Sequence, residues 1–365
     1  MKKQPEKLRS GFTTGAAAAA AAKAGLLFLL TGQTPASVTI RFLTGEPIRI
    51  AVHGCTQVSP NKARVTIIKD AGDDPDITHK AEIGAEVTLD DTASPGTRHI
   101  TGGIGVGVVT KPGLEIPPGQ AAITPGPMTM ITNSIDEVLS DHPTDAGIKV
   151  NVFVPEGQRL AQKTLNARLG ILGGLSILGT TGIVRPMSHD AYVATIEKAM
   201  DVARAADATH LVLTTGRRSE RFAQALWPQI KDVAFIQIGD FFQKAMVAAA
   251  QRGFDSVTLA VFFGKAVKMA QNIPHTHAAK SELTLKTLAQ WTLEISGNQV
   301  LADSVAKANT ARHAFDPLMA EAPAVVAHVA EQARRCALGF ADHRLKVRYV
   351  IFDYEGIVVI DTEAE

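Results

Sequence analysis

Seven consecutive alanines, Ala16–Ala22, follow Gly11-Phe12-Thr13-Thr14-Gly15 and lead into Leu26, Leu27, Leu29 and Leu30. Alanine is the best intrinsic helix former, and a threonine just ahead of it supplies a side-chain oxygen for the unpaired amides of a first turn. The run predicts a helix that begins near Gly15, is capped by Thr13 or Thr14, and closes at Thr31-Gly32. Following the basic Met1-Lys2-Lys3, the apolar segment loosely resembles a signal peptide. Lys23 interrupts it, the glycines read as a helix start, and the run is short for a bilayer, so neither export nor a membrane span is expected.

Downstream the pattern is mixed. Val38–Phe42 and Ile48–Val52 alternate around Thr44-Gly45-Glu46-Pro47 and predict a hairpin. Strands are expected at Ala63–Ile68, Ala85–Leu89 and Ile148–Val154, with a helix over Met128–Leu139. From Ser188 the periodicity changes. Helical stretches Asp190–Ala206, Ser219–Trp227, Phe241–Arg252 and Lys265–Gln271 alternate with apolar strands His210–Thr215, Val233–Ile238 and Ser256–Phe262, the signature of βαβ units in a parallel sheet. Helices are expected over Glu282–Ile295, Val300–Asn309 and Pro317–Cys336, then strands Val347–Phe352 and Gly356–Ile360. The reading is two domains, an α+β domain over residues 1–186 and an α/β domain over 187–365, with the joint between Thr180 and Ser188.

Composition narrows the function classes. The 365 residues carry 37 Lys+Arg against 36 Asp+Glu, a net charge of +1, so no global field favours nucleic acid or a membrane surface. Aromatics are 5% of the chain, too few for the stacking platforms that hold single-stranded nucleic acid. Cys55 and Cys336, far apart, build neither a disulfide framework nor a zinc site and fit a reducing cytoplasm.

Charge is local instead. Residues 69–91 hold eight acids and two bases, a formal −6, with Asp70, Asp73, Asp74 and Asp76 inside seven positions. That block suits a cationic ligand such as a sulfonium, or an oriented polar network; its spacing is not that of an EF-hand. Gly103, Gly105 and Gly107, ahead of Lys111-Pro112-Gly113, let backbone approach a ligand. They run into Val108-Val109 rather than a helix, so they form neither a dinucleotide fingerprint nor a phosphate loop. In the second half, ligands are expected at the carboxyl ends of the parallel strands. Arg217, Arg218, Lys265, His275 and His277 would converge there and suit a polyanion. The glycine-rich stretch from Lys163 to Ser188, which includes Arg185, reads as a joint or a cleft wall. No nucleophile elbow, His-Glu-x-x-His or Cys-x-x-Cys is present.

Four ordered blocks, Arg9–Ala16, Lys69–His79, Gly105–Leu114 and Leu178–Ser188, resemble the cobalt-precorrin-5B C1-methyltransferases of anaerobic cobalamin biosynthesis; the likeness is dense from residue 9 to 190 and thinner afterwards. The resemblance implies methyl transfer from S-adenosylmethionine to C-1 of a cobalt corrinoid. It also implies an N-terminal domain similar to a permuted ribosomal-protein-S5-like domain, beside an α/β domain with a short parallel sheet. Cobalt would arrive inside the substrate, with no protein metal site. Two departures stand out: Ala16-Ala17 where the family commonly has Thr/Ser-Cys, and Phe263 where it tends to have histidine; Gly264, Lys265, Thr276 and His277 still match.

By charge sign, Thr13, Thr14, Gly15, Asp70, Asp73, Asp74, Asp76, Gly103, Gly105 and Gly107 are expected on the S-adenosylmethionine side. Lys111, Arg185, Arg217, Arg218, Lys265, Thr276 and His277 are expected on the corrinoid side. Asp70, Asp73 and His277 are candidates for a catalytic role. A small-molecule kinase of S5-like fold and a non-catalytic corrinoid carrier stay open as alternatives, as do a homo-oligomer and contacts with other pathway enzymes.

Overall fold

The computed structural model describes residues 8–277 and 281–363, and its chain divides into two compact units, Met1–Ser188 and His189–Glu365.

In the first unit the alanine run becomes helix Thr14–Thr31, with Thr13 as its N-cap and Gly32 as its C-cap. The Thr13 hydroxyl accepts from the Ala16 amide at 3.2 Å, and the Gly32 amide donates to the Phe28 carbonyl at 2.8 Å. The helix lies on a five-stranded sheet ordered Gly54–Ser59, Lys62–Ile68, Glu82–Asp90, Gly147–Phe153, Arg98–Gly102. All neighbours are antiparallel except the last pair. Strand alternation sends Ala63, Val65 and Ile67, and across from them Ile83, Ala85 and Val87, to the buried face. Seven alanines in a row are wholly buried, because a surface without long side chains lets helix and sheet backbones approach closely. Gly25 marks the tightest point: a β-carbon there would stand 2.8 Å from Val87 Cγ2.

A second helix, Pro125–Asp141, packs on the first, and the Ser37–Arg41/Pro47–Ala51 hairpin borders them. Lys23, the one charge in the alanine helix, leaves the core by donating to the Thr39 carbonyl at 2.8 Å and pairing with Glu137 on the second helix. By length and composition Thr14–Thr31 could cross a membrane, contrary to the shortness read from its sequence; two-thirds of it is buried inside this unit.

The second unit is built on four parallel strands ordered Phe235–Gln237, His210–Thr214, Ser256–Phe262, Lys346–Phe352, with Val358–Asp361 antiparallel at the edge. One face carries the larger core, where Met200, Leu211, Phe242, Leu259, Phe263 and Val329 meet. The other face packs Val212, Phe235, Ala260 and Phe352 against Ala223 of helix Arg217–Leu226. The C-terminal stretch expected as one helix from Pro317 is two, Ala311–Glu321 and Pro323–Phe340. Pro323 has no amide to donate back and fixes the start of a new helix. Strands Gly54–Ser59 and Arg98–Gly102 were not expected; they are short, largely polar and without a buried face, and carry little apolar periodicity.

Gly25→Leu forces four heavy atoms into the helix–sheet contact at Val87. The expected cost is about 1–3 kcal/mol of stability by urea denaturation.

Candidate functional site

Three distant segments of the first unit meet at the acidic turn. Phe12 donates its amide to the Asp70 carbonyl at 2.8 Å, Asp73 donates to the Arg9 carbonyl at 2.9 Å, and Ser10 pairs with Gly72. On its other edge Gly11–Phe12 pairs antiparallel with Ile183–Val184. Gly72 has φ +66°, and a β-carbon on it would overlap the Arg9 carbonyl; one on Gly11 would overlap the backbone of Asp70 and Ala71. Glycine at both positions is a requirement of this crossing.

The four aspartates each have a task inside the chain. Asp70 takes the Arg9 guanidinium in a two-pronged bond, 2.5 and 2.8 Å, and accepts the Gly72 amide. The Arg9 fork holds the Asp70 carboxyl down at about 2. Asp73 accepts the Arg9 amide at 2.5 Å, and Asp74 accepts the Met187 amide at 2.8 Å. Asp76 pairs with Lys69 at 2.6 Å and accepts both the amide and the hydroxyl of Thr78 at 2.7 Å. Burial pushes the Asp76 carboxyl up, but Lys69 and Thr78 together leave it below the ordinary range. The block is an oriented polar network that ties residues 9–12 and 183–187 to the sheet.

Beside this crossing is a hollow of about 190 Å³, lined by Thr13, Thr14, Lys69, Asp76, Thr78, Thr164, Asn166, Leu175, Ser176, Leu178 and Val184. Thr14 is fixed there by bonds to the main chain of Ser176 and Leu178. Asn166 donates to the Gly174 carbonyl at 3.0 Å and accepts from Ser176. Lys69 and Thr78 were not among the expected site residues, whereas Asn166 and Ser176 lie in the Lys163–Ser188 stretch read as a joint or a cleft wall. Their common feature in the sequence is only that they lie in glycine- or aspartate-rich segments; the fold brings them together.

Other expected residues are placed differently. Gly15 packs against Pro127 and Met130 rather than facing the hollow. Around Gly103, Gly105 and Gly107 the space that a side chain would fill is taken by the chain itself: the Asn151 amide, the Val154 carbonyl, and Ile171 with Gly174. At these three positions the glycines allow the chain to pack against itself. The Lys111 stem lies against Gly170, while Arg185 is exposed.

In the second unit Lys265 and Thr276 meet on the carboxylate of Asp240. Lys265 is ion-paired with Asp240; the Thr276 hydroxyl donates to the same carboxylate at 3.0 Å, and its amide donates to the Asp240 carbonyl at 2.9 Å. Burial raises Asp240 and these partners outweigh it, leaving its carboxyl low. His275 stacks on His189 at 4.9 Å and meets Phe241 edge-on at 4.8 Å; His277 lies 6.2 Å along the same stack. Arg218 is bonded to the Tyr354 carbonyl and lies over Phe222 and over Phe262, the last residue of strand Ser256–Phe262. Arg217 is exposed at the start of its helix, whose N-cap Gly216 makes no side-chain bond. Phe263 is wholly buried in the larger core, 5.2 Å from Phe315, where an imidazole could not exchange protons with solvent. No cluster of three or more potential metal ligands occurs among the described residues.

The chain matches the family model CbiD over residues 1–186 and the model of the CbiD C-terminal domain over residues 275–363. It is 42% identical to the cobalt-precorrin-5B C(1)-methyltransferase of Priestia megaterium, covering 86% of this chain and 84% of that protein. It is 40% identical to the protein of that name from Salinispora arenicola, over 98% and 93%. The one from Nitratidesulfovibrio vulgaris is 41% identical, over 96% and 91%. A crystal structure of a cobalamin biosynthesis protein (cbiD) from Archaeoglobus fulgidus shares 27% identity over 70% of this chain and 78% of that one, with a TM-score of 0.40.

Because the folded carboxyl of Asp70 sits at about 2, below its unfolded value, it contributes stability that is complete above pH ~4 and fades as pH falls toward 2. Asp70→Asn is therefore expected to lower the thermal midpoint at pH 6–7, and the gap from wild type should narrow between about pH 4 and pH 2. A gap that stays constant with pH would show that the Arg9 bond is not its source.

Proposed function

We infer from membership of the CbiD family, to which this chain belongs, that the protein is a cobalt-precorrin-5B C1-methyltransferase of cobalamin biosynthesis. The observation that carries this reading is identity of about 40% to curated enzymes of that name over nearly the whole chain. The finer parts of the proposal follow. The methyl donor is S-adenosylmethionine, the acceptor is C-1 of a small-molecule corrinoid, and the product is cobalt-precorrin-6A. The first unit is a permuted ribosomal-protein-S5-like domain, a reading supported by two helices packed on one face of a mixed sheet. The enzyme works in the cytoplasm, which the two free thiols Cys55 and Cys336 support.

Transfer of a methyl group from a sulfonium requires nucleophilic carbon, methyl carbon and sulfur in line, so the protein's main contribution is positioning. The hollow beside the acidic turn is our candidate for the donor. It collects Thr13, Thr14 and Asp76, three residues expected on that side, and it is walled by elements that the crossing of residues 9–12 with 69–73 holds rigid. Asp70, Asp73 and Asp74 act as braces for that wall, through Arg9 and Met187, instead of touching the donor. For the acetate and propionate groups of the corrinoid, the exposed Arg185 is the better candidate in the first unit and, taken by itself, the exposed Arg217 in the second. Lys265 and Arg218 already have partners, and Thr276 with His277 fixes the loop beside Lys265. Cobalt belongs to the substrate.

Anaerobic incubation with labelled S-adenosylmethionine and cobalt-precorrin-5B is expected to yield a corrinoid heavier by one methyl group. Corrinoid binding without transfer would favour a carrier. Thermal stabilisation by ATP with Mg²⁺, but not by S-adenosylhomocysteine, would favour a kinase.

A further inference from the structure

Lys69 is the most deeply buried charged side chain of the hollow, 1% exposed, on the residue that follows strand Lys62–Ile68. Its backbone is fixed on both sides: its amide donates to the Ala81 carbonyl and its carbonyl accepts the Lys80 amide, each at 2.8 Å. An ammonium carries three N–H donors. Among the described residues, Lys69 Nζ has one partner, Asp76 Oδ2 at 2.6 Å. Asp76 is shared, since its other oxygen takes the amide and hydroxyl of Thr78. Besides Asp76, the residues lining the hollow carry no charged acceptor. Thr13 accepts the Ala16 amide at 3.2 Å, which leaves its hydroxyl hydrogen for another group. The side chains of Thr14 and Asn166 are engaged with the main chain. A buried charge with unused donors is costly unless an acceptor meets it.

We propose that Lys69, helped by the Thr13 hydroxyl, is the anchor for the carboxylate of the donor's amino-acid end. This rests on the reading of the hollow as the S-adenosylmethionine site and gives the donor a direction in it: carboxylate on Lys69, with the sulfonium and its methyl group turned away from this end. It also reverses the sign of the interaction expected from the sequence. The aspartate-rich turn does not attract the cationic sulfur; one of its aspartates orients a cation that reads an anion.

The test is calorimetric titration of the full chain with S-adenosylhomocysteine and with its decarboxylated analogue. A charged hydrogen-bond anchor predicts that wild type prefers the carboxylate-bearing ligand by about tenfold or more. Lys69→Met combined with Asp76→Asn removes the pair together, so that neither partner is left buried alone. That variant is expected to bind the analogue about as wild type does and to lose the preference to within about twofold. Lys69→Arg, which keeps the charge, should retain the preference. A preference that survives in the double variant overturns the proposal and leaves the donor reading standing. Equal affinity of wild type for the two ligands overturns it as well, even if the double variant fails to fold. Wild type that binds neither ligand removes the donor reading and this inference with it.

Discussion

The first unit depends on the crossing of two backbones, at Gly11 and Gly72, with no room for a side chain at either. Everything placed near the hollow is referenced to that point. The crossing sets where helix Thr14–Thr31 starts, because Thr13 and Thr14 follow immediately. It sets where Lys69 and Asp76 stand, because they flank Gly72 in sequence. It also sets the path of residues 183–187, which pair with Gly11–Phe12 and end on the carboxylate of Asp74. Exposed ion pairs contribute little by themselves, and Arg9–Asp70 is half-exposed. Its value is geometric: a planar fork on a carboxylate admits one arrangement, so the pair fixes how the crossing strands register.

The two units treat polar groups differently. In the first, carboxylates bind backbone amides and so organise the chain. In the second, Asp353 does the same for the amides of residues 355–357, but Lys265, Asp240 and Thr276 bind each other, and Arg218 lies over aromatic rings. A basic residue at the carboxyl end of a parallel strand is thus no guarantee of a free cation. The same position is also where a fold must satisfy its own strand and helix ends.

Much of the fold was legible because periodicity and composition act locally. The alanine helix, the hairpin, the alternation of strands and helices after Ser188 and the parallel sheet all follow from spacing within about twenty residues. The short polar strands Gly54–Ser59 and Arg98–Gly102 were not legible: their pairing comes from neighbours and not from their own pattern. The site divides along the same line. A dense aspartate block reads correctly as special, but its partners are remote: Arg9 lies 61 positions from Asp70, and Met187 lies 113 from Asp74. Charge sign alone therefore suggested free carboxylates where the fold has already used them. Lys69 was inconspicuous for the same reason. A lysine beside four aspartates looks like a surface charge until its burial is known.

The alanine helix has a thermodynamic consequence. A buried alanine removes far less apolar surface from water than a buried leucine, and the heat capacity of unfolding follows the apolar surface exposed. A layer whose centre is Ala16–Ala22 and Gly25 against a sheet is held by close contact of many small groups, with a small hydration change for each. The Ala16–Gly25 layer accordingly adds less to the heat-capacity increment of unfolding than a leucine-lined layer of the same length would.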